Sequence, residues 1–309
     1  MKEPQTMTGS DLTSPAPLAF IGLGALGLPM AINLHRAGYP LRLHTRSRGA
    51  ERHPDLAGAL PCASPAAAAT DCRALVLCVS DDTAVEAVLW GTGGAGSTLP
   101  AGSLVIDCST IRPDTAQAMA QRLAERDVRY LDAPVTGGTE GVRAGSLTVL
   151  CGGAEADMER ARPVLEVLSS AIHHFGAVGA GQQVKAINQV LVAGSYAAVA
   201  EAVALGQHLR LPMEQVVAAL RHGAAGSWAL THRAGAMLAD HYPLGFKLAL
   251  HHKDLAIALD AAAGVGLELP ISRRVQAMEA ALMADGWGEA DVSALRRSLP
   301  QPPDNELRA

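Results

Sequence analysis

"LAFIGLGALGLPMAINLHRAG", residues 18–38, is the stretch that decides the fold. Leu18–Ile21 is a short apolar run of the kind that forms a buried strand. Gly22, Leu23, Gly24, Ala25, Leu26 and Gly27 follow as G-x-G-x-x-G. Met30, Leu34 and Ala37 then recur at helical spacing, and Gly38 closes the segment. Strand, glycine turn and helix in this order specify a parallel strand–helix–strand unit. Working outward, 40–47, 74–81 and 102–110 read as further strands, the last two nearly continuous apolar runs of the kind buried on both faces of a parallel sheet. Residues 128–138 and 146–153 add more, with helices between, such as 112–126. After Gly181 no strand-like run returns. Residues 183–209, 212–222, 226–239, 247–264 and 270–285 read as helices. The expected architecture is α/β: a Rossmann-type, doubly wound parallel sheet over 18–180, then an all-helical domain over 181–300. The helix starting near Gln183 is expected to bridge the two. Residues 1–17, polar and proline-rich without an apolar core, read as a flexible tail, and 301–309 as another.

The glycine turn implies a dinucleotide. Gly22 allows the tight turn, Gly24 lets backbone approach a pyrophosphate, and Gly27 permits close helix–strand packing, with the pyrophosphate on the helix N-terminus. The end of the second strand chooses the nucleotide. A site for the unphosphorylated cofactor places an acid there to hold the ribose hydroxyls. Here the stretch is "LHTRSR", without an acid, and Thr45, Arg46 and Ser47 offer two hydroxyls and a guanidinium. NADP(H) is therefore expected over NAD(H), with Arg46 on the 2′-phosphate. Cys78, Val79 and Ser80, like Ser109 and Thr110, fall at strand ends on the carboxyl edge of the sheet, where ligands bind.

Composition narrows the function class. The net charge of −5 argues against a general nucleic-acid or anionic-membrane binder. The longest apolar stretch, about 186–205, is broken by Asn188, Gln189, Ser195 and Glu201, so a buried helix is expected and not a membrane span. Five cysteines without C-x-x-C read as small buried hydrophobes in a reducing, cytoplasmic setting. No histidine pair has ligand-spaced partners, so no metal is expected.

The chain holds four lysines, Lys2, Lys185, Lys247 and Lys253, against 21 arginines. Lys185 lies in "GAGQQVKAINQV" (179–190), at the glycine-rich entry to an apolar helix. Arginine supplies surface charge everywhere else, so a lysine kept here suggests proton transfer, which a guanidinium cannot perform. Asn188 follows at i+3 on the same helix face. In "LDAPVTGG", consecutive amides of a glycine turn can form an anion nest, with Thr136 adding a hydroxyl beside Gly137 and Gly138.

These motifs together, with "HHKDL" and "DGWGEADVSAL", resemble the β-hydroxyacid dehydrogenases, a family that includes 3-hydroxyisobutyrate dehydrogenase and tartronate semialdehyde (2-hydroxy-3-oxopropionate) reductase, over about residues 18–298. The resemblance implies an NAD(P)-dependent dehydrogenase that moves hydride between nicotinamide and a short carboxylate-bearing hydroxy acid or semialdehyde. It makes Lys185 the general acid in reduction and the base in oxidation, with Asn188 beside it. It places the substrate carboxylate at Thr136, Gly137 and Gly138, and cofactor contacts at Thr110 and Lys253. The family often has serine where Thr136 stands. Trp228 in "GSWAL" is a candidate pocket residue, and small residues at Ala193, Gly194, Ala197 and Ala198 suit close helix packing in a homodimer or homotetramer. Three other readings stay in view: an imine or bulky-ketone reductase, against which Lys185 and the TGG turn argue; a non-catalytic NADP-binding module, which would not need Lys185; and a 6-phosphogluconate-type decarboxylating enzyme, for which the chain is short and basic phosphate ligands near the motifs are lacking.

Overall fold

The computed structural model describes Leu12 and residues 17–301. The chain divides into two compact units, Met1–Lys185 and Ala186–Ala309. In the first, the strands are β1 (Leu18–Ile21), β2 (Leu41–His44), β3 (Leu60–Pro61), β4 (Ala74–Leu77), β5 (Leu104–Asp107), β6 (Arg129–Asp132), β7 (Val135–Thr136), β8 (Leu147–Cys151) and β9 (Ser169–His174). Its helices are α1 (Gly27–Arg36), α2 (Pro65–Ala69), α3 (Asp82–Trp90), α4 (Pro113–Ala124), α5 (Gly138–Arg143) and α6 (Glu155–Leu168). The helix α7 (Ala180–His208) runs through the division. The second unit continues with α8 (Met213–Leu220), α9 (Trp228–Leu238), α10 (Leu248–Gly264) and α11 (Pro270–Ala284).

Six strands form one parallel sheet in the order β3-β2-β1-β4-β5-β6. The order reverses between β1 and β4, which is the doubly wound topology expected from the sequence. Alternate residues explain why the strands read as unbroken apolar runs. Leu18, Phe20, Val76 and Ile106 pack on one face against Met30 and Leu34 of α1 and Val164 and Leu165 of α6. Ala19, Ile21, Leu75, Leu77 and Val105 pack on the other against Ala68, Val85 and Met119 from α2, α3 and α4.

Three features depart from the expectation. The run 128–138 is two strands, not one: β6 ends the large sheet, and β7 begins a second, three-stranded sheet of order β7-β8-β9. Within that sheet β7 and β8 are antiparallel and β8 and β9 parallel. Pro134, which lacks an N–H to donate, sits at the break. Strand β9, "SSAIHH", escaped a reading by periodicity because four of its six residues are Ser or His. Leu12, within the segment read as a flexible tail, is buried in the core of the large sheet, and its carbonyl accepts a bond from Tyr39 Oη at 3.4 Å. The rest of 1–16 and residues 302–309 lie outside the described residues.

The helical unit has its own core. Ala193, Tyr196, Ala200 and Val203 of α7 pack with Leu230 and Met237 of α9, Leu248 and Leu255 of α10 and Val275 and Leu282 of α11. Ala193 therefore belongs to this core and cannot serve a helix contact with another chain, whereas Ala198 lies on the exposed side. A buried ion pair ties the unit together. The Asp291 carboxylate accepts amides from Gly245 (3.0 Å), Phe246 (2.9 Å) and Ser293 (3.0 Å), and meets Arg233 Nε at 3.3 Å. That gives the late "GEADVSAL" stretch a structural use.

At the end of β5, Asp107 is fully buried. Its carboxylate accepts the Tyr130 hydroxyl at 2.8 Å and the Ser109 amide at 2.9 Å. Burial pushes its pKa from 3.8 up to about 6, against the pull of those hydrogen bonds, and the charge on Asp82 adds to the rise. In the unfolded chain an aspartate titrates near 3.9. Between those values the folded protein binds more protons, so this group's contribution to stability is full at low pH and is lost as pH rises through about 6. Asp107→Asn keeps partners for both neighbours, because a tyrosine hydroxyl both donates and accepts. Urea unfolding at pH 5 and pH 8 is expected to show the variant gaining on the wild type at the higher pH. A pH-independent difference would contradict this.

Candidate active site

The cofactor motif sits where the topology predicts, on the carboxyl edge of the large sheet beside the β1/β4 reversal. Gly22 has φ +98°, and a Cβ there would fall 2.1 Å from the Cys78 carbonyl oxygen, so the turn between β1 and α1 is closed to any other residue. Leu23 is buried, while Gly24 and Ala25 are exposed above the start of α1. That helix has no acidic residue in its first turn, which leaves its amide end open to an anion. The residues present therefore fit a bound pyrophosphate.

The neighbouring strand ends play different parts. Thr45 is buried, and its hydroxyl accepts the Leu23 amide at 3.3 Å, so it braces the glycine turn from behind. Arg46 and Ser47 are exposed. Arg48, also exposed, is engaged by its neighbours, with a bond to the Cys62 carbonyl (2.7 Å) and an ion pair with Glu51 (2.8 Å). Arg46 has no ion pair among the described residues. The end of β2 thus presents a guanidinium and no carboxylate. Cys78, Val79 and Ser80 are half-buried after β4. Val79 donates its amide to Ser109 Oγ at 3.0 Å, and Ser80 donates its hydroxyl to Asp81, the N-cap of α3, at 2.6 Å. Thr110 follows β5, half-buried.

The second cluster of the first unit surrounds Lys185. Its side chain is buried, with 7% exposure, and Nζ donates to the Val135 carbonyl at 2.9 Å. Val135 immediately precedes Thr136, Gly137 and Gly138. The two glycines have φ +132° and +64°, and a Cβ on Gly137 would meet Leu147 Cδ2 at 3.0 Å. The structure therefore brings together the lysine and the glycine turn, which are far apart in sequence. Both the ammonium and the free amine can donate to Val135, so the contact holds Lys185 in place through a cycle of proton loss and gain.

Two residues that the sequence reading did not single out make this arrangement. Asp132, at the end of β6, accepts the Gly179 amide on Oδ1 (2.8 Å) and the Gln182 amide on Oδ2 (3.0 Å), at the entry and first turn of α7. Gln182 sends its own side chain to the loop after β5: Nε2 donates to the Ser109 carbonyl (2.9 Å) and Oε1 accepts the Ile111 amide (3.1 Å). Burial raises the Asp132 pKa from 3.8 to about 6, while the two amides pull it down. The available signal was spacing. Gln182, Lys185 and Gln189 are buried polar residues at i, i+3 and i+7, a polar stripe on the buried side of an apolar helix.

In the helical unit, Asn188 and Lys253 are linked through two further residues. Asn188 Nδ2 donates to Gln189 Oε1 (2.7 Å), and Gln189 Nε2 donates to Asp254 Oδ2 (2.5 Å). Lys253 Nζ lies 3.0 Å from Asp254 Oδ1. Asp254 is buried and joins α10 to α7, as a helix-packing role requires. Trp228, the first residue of α9, is half-exposed. It stacks on His232 of its own helix, with centroids 4.5 Å apart, and under Arg233.

Comparison with known proteins agrees with this geometry. Residues 17–176 match the family model for the NAD binding domain of 6-phosphogluconate dehydrogenase, and residues 179–299 match that for the NAD-binding domain of NADP-dependent 3-hydroxyisobutyrate dehydrogenase. The chain is 36% identical to 2-hydroxy-3-oxopropionate reductase of Escherichia coli, over 91% of this chain and 96% of that protein. It is 34% identical to L-threonate dehydrogenase of Cupriavidus necator, over 92% and 96%. The crystal structure of 3-hydroxyisobutyrate dehydrogenase from Salmonella typhimurium is similar with a TM-score of 0.84 at 30% identity, covering 92% of this chain and all of that one. A glycine turn built for a dinucleotide, a buried lysine against a second glycine turn and these likenesses lead to one assignment: the chain belongs to the β-hydroxyacid dehydrogenase family of NAD(P)-dependent oxidoreductases.

Proposed function

We propose that this enzyme interconverts a short 3-hydroxy acid and its semialdehyde, with Lys185 as the acid and base and NADP(H) as the preferred cofactor. The observation that carries the reading is the Lys185 amine, buried and held 2.9 Å from the Val135 carbonyl at the threshold of the Thr136–Gly138 turn. That turn offers consecutive amides to a carboxylate. A substrate anchored there would leave its other end, the reacting carbon and oxygen, for the amine. A cofactor held by its pyrophosphate at the glycine turn after β1 would supply or take up the hydride through its nicotinamide. Lys185 supplies the proton when the carbonyl oxygen becomes a hydroxyl, and removes it in the reverse direction. Asn188 lies one turn further along the same helix. An imine reductase or a non-catalytic module would not require a carboxylate cradle beside a proton donor.

Turnover should follow the lysine. Lys185→Ala is expected to lower kcat by roughly 10²–10⁴, the range of general acid–base catalysis, with nucleotide binding retained. Lys185→Arg restores the charge and not the rate, since a guanidinium stays protonated. Reduction uses the ammonium and oxidation the free amine, so the oxidative optimum should lie at higher pH. A Lys185→Arg variant with near wild-type turnover would refute the role.

Cofactor choice should follow Arg46. Fluorescence titration of Arg46→Ala is expected to weaken NADPH binding by about 1.5–3 kcal/mol, the scale of a charge-assisted hydrogen bond, and to leave NADH nearly unchanged. Tighter binding of NADH than NADPH by the wild type would overturn the preference.

A homodimer through α7 is also proposed. Ile187, Leu191, Gly194, Ala198, Ala202, Leu205 and Leu209 follow one another at steps of three and four residues. The four large ones are 59–67% exposed. The stripe is symmetric about Ala198: large residues stand 7 and 11 positions away on either side, and small ones 4 positions away. An antiparallel copy crossing there on a two-fold axis pairs large with large and lets small centres approach, as an isologous contact requires. Ala198→Glu is expected to give monomers in sedimentation experiments. An unchanged assembly state would exclude this face.

A further inference from the structure

No acid ends β2, but one lies close behind it. Glu51 is 2% exposed, and its carboxylate is bonded to the turn that follows the strand. Oε2 accepts the Gly49 amide at 2.8 Å, and Oε1 meets Arg48 Nη2 at 2.8 Å. Arg48 Nη1 donates to the Cys62 carbonyl at 2.7 Å and lies 3.1 Å from His44 Nδ1. The Arg48 amide returns to the Thr45 carbonyl at 3.3 Å, so Arg46 and Ser47 form the exposed tip of the turn. Arg48 and Gly49 both have positive φ, +44° and +110°. A side chain at such an angle costs energy unless its surroundings hold it there, and the guanidinium contacts do so. An acid that binds a ribose must offer its oxygens to the sugar. Both Glu51 oxygens serve the turn itself. The charge remains, however, and because it is buried it is screened little. An anion at the tip of the turn is repelled by it, and Arg48 is the cation set against it.

We propose that Arg48 is a second specificity residue for the 2′-phosphate, acting through Glu51: it cancels the carboxylate buried behind the nucleotide turn and so keeps the end of β2 attractive to an anion. The proposal rests on the reading that the phosphate meets Arg46. Arg46 supplies the contact, and Arg48 removes the opposing charge. A guanidinium–phosphate contact is strong because it is charge-assisted, and an uncancelled carboxylate nearby works directly against it. NADH carries no phosphate at this place, so a comparison of the two cofactors isolates the effect.

The test is the ratio of NADPH to NADH affinity, read by fluorescence titration of the full chain under one set of conditions. Arg48→Asn removes the cation, and asparagine tolerates positive φ. The preference for NADPH should fall by roughly 10-fold, with NADH affinity nearly unchanged. Glu51→Gln keeps an oxygen for the Gly49 amide and removes the charge. Alone, it should hold or raise the preference. Added to Arg48→Asn, it should restore what the single change lost. Arg48→Lys keeps the charge and should keep the preference; with Glu51→Gln it decides the matter if Arg48→Asn does not fold. If Arg48 instead touches the phosphate itself, the double variant stays as poor as Arg48→Asn, and the proposal is overturned. A Glu51→Gln protein with a lowered preference, the mark of a purely structural role, overturns it too, as does an Arg48→Lys protein that has lost the preference. Arg46→Ala separates this proposal from the reading beneath it. A ratio unchanged by Arg46→Ala overturns that reading. A ratio abolished by Arg46→Ala but untouched by Arg48→Asn overturns this proposal alone.

Discussion

The Asp132 carboxylate, with one oxygen on the Gly179 amide and the other on the Gln182 amide, is the constraint on which the placement of Lys185 depends. A helix start carries amides without intrahelical partners, and a carboxylate there is favoured by both hydrogen bonding and the helix dipole. The carboxylate is buried, however, and its raised pKa shows that ionisation at neutral pH opposes folding. What this costly group does is place. It joins the last strand of the large sheet to the helix that carries Lys185, and Gln182 makes the second fastening to the loop after β5. With both in place, the amine arrives at Val135 without a flexible linker of its own.

The same logic accounts for the break between β6 and β7. A single strand through 128–138 would carry Thr136 and the two glycines along the edge of the large sheet. The break at Pro134 turns the chain into the small sheet, where Thr136 pairs with Thr148 and the Val135 carbonyl receives the Lys185 amine. The break separates the parallel sheet, which carries the nucleotide motif, from the small sheet, which carries the Thr136–Gly138 turn.

Much of this was legible in the residues. The glycine motif, the apolar strands, the helix spacing after 181 and the missing acid after β2 all follow from period, turn chemistry and charge, which are local properties. Lys185 stood out because lysine is scarce here. What did not show was whatever depends on distant partners. Asp132 reads as one residue inside a strand over 128–138, Gln189 as an interruption in an apolar run, and Thr45 as a hydroxyl offered to the nucleotide, whereas its oxygen accepts the Leu23 amide. β9 lacks the apolar alternation by which strands are read, and its pairing with β8 alone reveals it. The buried role of Ala193 and the exposed one of Ala198 differ by five positions on one helix, and only the packing of α9, α10 and α11 separates them.

Leu12 changes where the first unit begins. The recognisable fold starts at Leu18, and a shortened protein cut just before it would keep every strand, helix and motif residue. It would also lack the leucine that fills a place in the core near Tyr39. Emptying a buried leucine site elsewhere in proteins costs about 2–5 kcal/mol, a large share of the stability of an ordinary domain. The boundary of this enzyme is thus set by what is buried and not by where the sequence pattern becomes regular, and trimming to the visible motif would yield a protein with intact chemistry and a hole beneath its cofactor sheet.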